Sequence, residues 1–249
     1  MQRFKLKTDI IFGNDALLAL KNIKSQSAVL FTDAFMVSSG TADKVASYMT
    51  SCEKVSVYSE VKPDPPVELI SSAVKFVMDC AADTVVALGG GSSIDAAKST
   101  LMIIREHYKK EITLIAIPTT SGTGSEVTQF AVVTDTAAGK KIPLVDESML
   151  PATAILDAEL VKSVPPAITA DTGFDVLTHA LEAYMSTNAN DFSDALAEKA
   201  VELVAENLVP VYKNGSDLEA RAKMHTASCL AGIAFNEVSL GINHGIAHA

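Results

Sequence analysis

The sequence predicts an α/β domain built on a parallel, helix-covered sheet, followed by an all-helical C-terminal part. Three observations carry that reading. Short apolar runs alternate with helical patterns as far as Val164. From Thr169 onward no strand pattern recurs. Two loops rich in glycine and threonine follow directly on apolar runs, where ligands bind in open parallel sheets.

The elements are read in order. Ser27 to Thr32 is a short apolar run ending at Asp33, read as a buried strand. A helical pattern covers Thr41 to Thr50, and a β-rich run covers Lys54 to Tyr58. Pro65-Pro66 suits a helix start, and Val67 to Cys80 places Leu69, Ile70, Ala73, Val74 and Val77 at helical spacing. Thr84 to Leu88 is the next strand, Ile94 to Met102 a helix, and Ile112 to Ile117 another strand. Ala131 to Thr134, Lys141 to Val145 and Ala154 to Leu156 are short β-like pieces. Pro165-Pro166 marks the change in character, which divides the chain into domains 1–164 and 165–249. Thr169 to Met185, Phe192 to Val211 and Leu218 to Phe235 then show helical spacing.

Composition narrows the class. With 249 residues, 48% hydrophobic and 20% charged, the chain has ample material for a core. A net charge of −10 argues against nucleic acid and anionic membrane as partners, which call for a basic face. No run reaches the length of a membrane span, and Met1 to Lys5 leads into no signal-like apolar stretch. Cys52, Cys80 and Cys229 form no paired motif and are read as buried thiols of a cytoplasmic protein.

The loops carry the first chemistry. Gly89-Gly90-Gly91-Ser92 joins a strand to a helix, where bare backbone N–H groups and the helix N-terminus suit a phosphate. The same residues also read as a tight turn capped by Ser92, with Asp95 three residues on. The second loop, Pro118 to Thr128, offers many hydroxyls, among them Thr119, Thr120 and Thr128, as a solvated loop also would. Asp33 is either a strand-end turn residue or an acceptor for ribose hydroxyls, the second favouring NAD over NADP. Lys140 and Lys141 are either a solvated pair or a reach toward the cofactor.

The helical part carries the second. Asp175 and His179 are four apart and share a helix face, as do His244 and His248. Asp/His pairs at this spacing are common on surfaces. Together, however, the carboxylate and imidazoles form a mixed N/O set suited to Fe(II) or Zn(II). Glu182 is either support for that set or solvent-facing, and His107 and His225 are read as structural or exposed.

Taken in order, Gly89-Gly90-Gly91-Ser92-x-x-Asp95, Thr119-Thr120-x-Gly122-Thr123-x-Ser125-Glu126-Val127-Thr128, Gly173-x-Asp175-x-x-x-His179-Ala180-x-Glu182 and His244-Gly245-x-Ala247-His248 resemble the iron-dependent (group III) alcohol dehydrogenases. The resemblance runs end to end and is nearest to the propanol, ethanol or butanol dehydrogenase branch. It implies NAD and Fe(II), with Zn(II) the other metal, and NAD(H)-linked interconversion of short primary alcohols and aldehydes. Exposed apolar surface on the helical part predicts association, read as a homo-oligomer. The resemblance also implies roles. Asp175, His179 and His244 would hold the metal and His248 would handle the proton. Gly90, Gly91 and Ser92 would hold the pyrophosphate, with Gly89 and Asp95 also at the cofactor. Thr119, Thr120 and Thr128 would line the nucleotide site, Asp33 would meet the adenosine ribose, and Lys141 would touch the cofactor.

The family pattern continues past His248 with a further histidine ligand and more helix, so the chain is expected to be truncated and impaired. A zinc polyol dehydrogenase of the glycerol type and a non-catalytic nucleotide-binding fragment are the competing readings.

Overall fold

The computed structural model describes residues 4–247. Six strands form one parallel sheet: β1 (Asp9–Phe12), β2 (Ala28–Asp33), β3 (Val55–Val61), β4 (Thr84–Gly89), β5 (Thr113–Pro118) and, further on, Thr153–Leu156, in the order β1, Thr153–Leu156, β5, β4, β2, β3. Helices α1 (Ala34–Ser38), α2 (Thr41–Tyr48), α3 (Val67–Asp79) and α4 (Gly91–Tyr108) lie between the strands. A separate antiparallel hairpin, β6 (Phe130–Asp135) with β7 (Lys140–Val145), precedes the last sheet strand, β8 (Thr153–Leu156).

The period of two explains the layers. Val29, Phe31, Val85 and Ala87 face one side of the sheet, packed with residues of α3 and α4. Ala28, Leu30, Val86 and Leu88 face the other, packed against Leu17, Leu20 and Val45. Strands buried on both faces read as continuous apolar runs rather than alternating ones, which is why β2 and β4 stand out in the sequence. The predicted α/β class with a parallel sheet and a helical C-terminal portion is the observed one.

The chain then becomes helical: α5 (Pro166–Tyr184), α6 (Asp191–Lys213), α7 (Leu218–Val238) and the short α8 (Ile242–Ala247). Pro166 sits in the first turn of α5, where its missing N–H costs nothing. The helices share a core of small residues, including Ala180, Ala200, Ala227 and Ala231. Val127, Ala154, Leu156, Cys229 and Ile233 join that core to the sheet. At this junction a Cβ on Gly124 would stand 2.7 Å from the Gly232 Cα, so two glycines meet backbone to backbone.

Some elements differ from the sequence reading. β1, the 3-10 turn Ala16–Asn22 and α1 were not expected, and α4 is longer at both ends than Ile94 to Met102. β1 is a four-residue, half-exposed edge strand whose pairing partner β8 lies far along the chain, so local pattern does not signal it. Cys229 is buried, but Cys52, in the connection between α2 and β3, and Cys80, at the C-terminal cap of α3, are only partly so. Among the described residues no helix is long and apolar enough to cross a membrane.

Candidate functional site

The sheet's strand order reverses between β2 and β4, and such a switch point opens a crevice at the carboxyl ends of the strands. Asp33 ends β2 and Gly89 ends β4, side by side. A Cβ on Gly89 would lie 3.7 Å from the Asp33 Oδ2, while Oδ1 accepts the Met36 N–H at 2.9 Å and caps α1. Gly89 itself has φ +150° and touches Ser93 closely, so only glycine suits the turn into α4.

Register brings the two loops together. Gly89 pairs with Pro118, and the Thr119 N–H donates to the Gly89 carbonyl at 3.0 Å. The glycines accommodate the threonines: a Cβ on Gly90 would lie 3.3 Å from Thr120, and one on Gly91 would lie 2.7 Å from the Thr123 Cγ2. Thr119 is buried beneath this contact and Thr120 is half-exposed. Asp95, on the first turns of α4, has Oδ1 2.6 Å from the Ser125 Oγ and Oδ2 3.0 Å from the Val132 N–H, so it binds the second loop rather than capping its own helix.

At the other end, α5 presents Asp175 and His179, and α8 brings His244 to them. His244 Nε2 lies 3.4 Å and His179 Nε2 3.8 Å from Asp175 Oδ1. The three donor atoms all lie within 4.8 Å of one another. The His179 ring stacks on His244 at 4.4 Å between centroids and on Phe235 at 4.6 Å. Burial holds the His179 imidazole down to about 4, so it is neutral and offers a lone pair near pH 7. Hydrogen bonding to Asp175 and Glu182 shifts the His244 imidazole upward, so a metal would displace a proton there. Two bonds of about 2.1 Å to one ion leave their donor atoms about 3–3.5 Å apart, so a carboxylate and two imidazoles gathered this closely suit a divalent first-row metal.

Behind them, Glu182 Oε2 lies 2.5 Å from His244 Nδ1, and Oε1 accepts the Asn243 N–H at 2.7 Å. Glu182 is buried, which settles the question left open by the sequence: it supports His244 and does not face solvent.

One cleft of about 640 Å³ connects the two ends. Its wall includes Gly91 and Ser92 of the glycine turn, Thr128 of the second loop, and Asp175, His179 and His244. Lys141 lines it from β7 and pairs with Asp64 at 2.8 Å. His248 lies outside the described residues. Thus the structure brings Gly91, Ser92, Asp95, Thr128, Lys141, Asp175, His179 and His244 to one cavity, whereas Asp33, Gly89, Gly90, Thr119 and Thr120 are not among its lining residues.

Two further ionisable groups lie under the cleft and were not singled out in the sequence. Lys98 is fully buried on α4, where burial pulls its ammonium down to about 8 against the opposing pull of Asp95 and Glu126. Burial pushes Glu126 up to about 7. A lysine three residues after Asp95, between alanines and serine on an otherwise apolar face, is the signal that would have found the first. His225, expected to be structural or exposed, is buried and shares a 2.9 Å hydrogen bond with Ser121.

Comparison with known proteins agrees with this arrangement. Residues 7–158 match the family "Iron-containing alcohol dehydrogenase", and residues 169–249 match "Fe-containing alcohol dehydrogenase family, C-terminal". The chain is 44% identical over 248 residues to the 1-propanol dehydrogenase PduQ of Citrobacter freundii, covering all of this chain and 67% of that protein. It is 41% identical over 266 residues to the NADPH-dependent butanol dehydrogenase of Clostridium saccharobutylicum, covering all of this chain and 68% of that one. Among solved structures it superposes on the sulfoacetaldehyde reductase of Bifidobacterium kashiwanohense in complex with NAD+, with a TM-score of 0.93 and 32% identity over 98% of this chain and 69% of that one. It likewise matches the iron-containing alcohol dehydrogenase of Thermococcus thioreducens, with a TM-score of 0.91 and 33% identity over 99% and 70% of the two chains. Two domain matches in tandem and this level of identity place the chain, as an enzyme, in the iron-containing alcohol dehydrogenase family.

Proposed function

We propose that the protein interconverts short-chain primary alcohols and their aldehydes with NAD(H), using a divalent metal held by Asp175, His179 and His244. The single observation that carries the reading is the shared cleft: a glycine-lined helix N-terminus and a carboxylate–imidazole cluster face the same cavity. The relatives named for propanol and butanol dehydrogenase support a small primary alcohol as substrate.

The bound metal would supply Lewis acidity, lowering the pKa of an alcohol hydroxyl or polarising an aldehyde carbonyl. The remaining work falls to the chain. The backbone of Gly90 and Gly91 and the Ser92 hydroxyl, at the start of α4, would hold the pyrophosphate, with Gly89 and Asp95 shaping the turn. Thr120 and Thr128 would line the nucleotide and Thr119 would support them. Asp33, beside Gly89, would accept from ribose hydroxyls and repel a 2′-phosphate, favouring NAD over NADP. Lys141 would meet the cofactor from the hairpin. Phe235 and Leu240, which line the cleft, would help keep water from the reacting carbon. His248 would pass the hydroxyl proton toward solvent. We further propose domains 1–164 and 165–249, a cytoplasmic homo-oligomer, and Fe(II) as the metal, with Zn(II) the alternative.

The test is direct. Dinucleotide affinity is measured by quenching of NADH fluorescence, metal stoichiometry by equilibrium dialysis with Fe(II) and Zn(II), and turnover with propanal and butanal on NADH and with propanol and glycerol on NAD. NADH binding, one metal per chain and aldehyde reduction are expected. Faster turnover of glycerol than of propanol would favour a polyol dehydrogenase, and NADH binding without turnover at any metal level a non-catalytic nucleotide-binding module.

A further inference from the structure

The segment 125–132 forms one wall of the cleft, through Ser125, Thr128, Phe130, Ala131 and Val132. Up to Gln129 it holds one 3-10 turn, Ser125–Val127, and no strand, so much of its backbone needs outside partners. Lys98 supplies them. Its ammonium donates to the Thr128 carbonyl at 2.7 Å, the Phe130 carbonyl at 2.9 Å, the Ser125 Oγ at 3.0 Å and the Thr128 Oγ1 at 3.2 Å. Three ammonium protons facing four oxygens of one segment leave nothing for a ligand. Asp95, three residues earlier on the same helix, takes the other side of the wall, bonding the Ser125 hydroxyl and the Val132 N–H.

Resting on the dinucleotide reading above, we infer that Lys98 is a positioning residue: it bolts the nucleotide-facing wall to α4 and fixes the polarity of Thr128. The Thr128 hydroxyl accepts from Lys98, so its own proton is available to an acceptor in the cleft. In that state Thr128 is a donor, matched to a phosphate, ribose or carboxamide oxygen of the dinucleotide. A buried ammonium is expensive to desolvate, and its retention here is accounted for by the segment it orders.

The experiment compares wild type with Lys98→Met, which keeps the side chain's length and removes its charge and donors. Hydrogen exchange of the ligand-free proteins reads the wall, NADH titration reads the site, and zinc binding reads the far end of the cleft. Amides of 125–132 are expected to exchange at least about tenfold faster, and the NADH dissociation constant to rise by at least about tenfold, with zinc affinity within about twofold of wild type. A generally damaged fold would instead lower both ligands' active fraction and loosen exchange everywhere. A folded Lys98→Met with wild-type NADH affinity overturns the inference. Failure of the wild type itself to bind NADH overturns the dinucleotide reading, a different and distinguishable result. Should Lys98→Met not fold, Thr128→Val removes the oriented hydroxyl alone and is expected to weaken NADH about fivefold, with unchanged affinity again overturning the inference.

Discussion

The carboxylate of Glu182 and the imidazole of His244 meet at 2.5 Å through Nδ1, which leaves Nε2 as the nitrogen turned toward Asp175. Burial alone would raise the Glu182 carboxyl, but the bonds from His244 and from the Gly241 and Asn243 amides carry it below its usual range. An ionised Glu182 makes Nδ1 the donor and fixes the tautomer. Glu182→Ala is therefore expected to weaken zinc or iron binding by about 10–100-fold while leaving NADH affinity near wild type. Equilibrium dialysis checks this; unchanged metal affinity would show that α8 holds His244 without it.

The glycine turn gives a second expectation. A Cβ on Gly91 would press 2.7 Å against the Thr123 methyl, and the short Thr123 side chain has little freedom to yield. Gly91→Ala should separate the two loops and weaken NADH by about tenfold, at a stability cost of about 1 kcal/mol. Fluorescence titration beside a urea melt distinguishes the two effects.

The contact between Gly124 and Gly232 gives a third. Alanine at Gly232 would place its Cβ 2.8 Å from the Val127 Cγ2 and 2.9 Å from the Gly124 Cα, against backbone that cannot rotate away. Gly232→Ala is expected to destabilise the protein by about 2 kcal/mol or more, read as a lower urea midpoint. A midpoint equal to wild type would mean the layers are not held there.

Acid stability follows from His225. Burial holds its imidazole down to about 4, below the ordinary 6.5. Between those values the unfolded chain binds the proton and the folded chain does not, so stability rises with pH there and is lost as pH falls from 6.5 toward 4. His225 should account for about 2 kcal/mol of the loss between pH 7 and pH 5, with His179 acting in the same direction. His225→Gln, less stable at pH 7, should lose correspondingly less on acidification, and an undiminished loss would assign the acid sensitivity elsewhere.

How much of this was legible in the sequence depended on how far apart the partners lie. β4 and the glycine turn are contiguous, so strand, turn and helix start could be read from one short stretch. Asp175 and His179 reveal their shared face by spacing alone. His244 was joined to them through its motif and not through spacing, because what brings it to them is the path of α6 and α7. Glu182 stood undecided between support and solvent, its partners being more than 60 residues on. Lys98 escaped altogether. A lysine is by default a surface residue, and the oxygens that justify burying it belong to a loop about 30 residues later. The edge strand β1 was missed because four half-exposed residues carry too little pattern.

The glycine pair at the junction has a mechanical meaning as well. Where backbone rests directly on backbone there is no cushion of side chains to shear, and lateral gliding of α7 over the cleft wall would drive Cα atoms into one another. The Gly124–Gly232 contact thus fixes how near α7 can lie to the cleft wall, with no side chain between them to adjust the spacing.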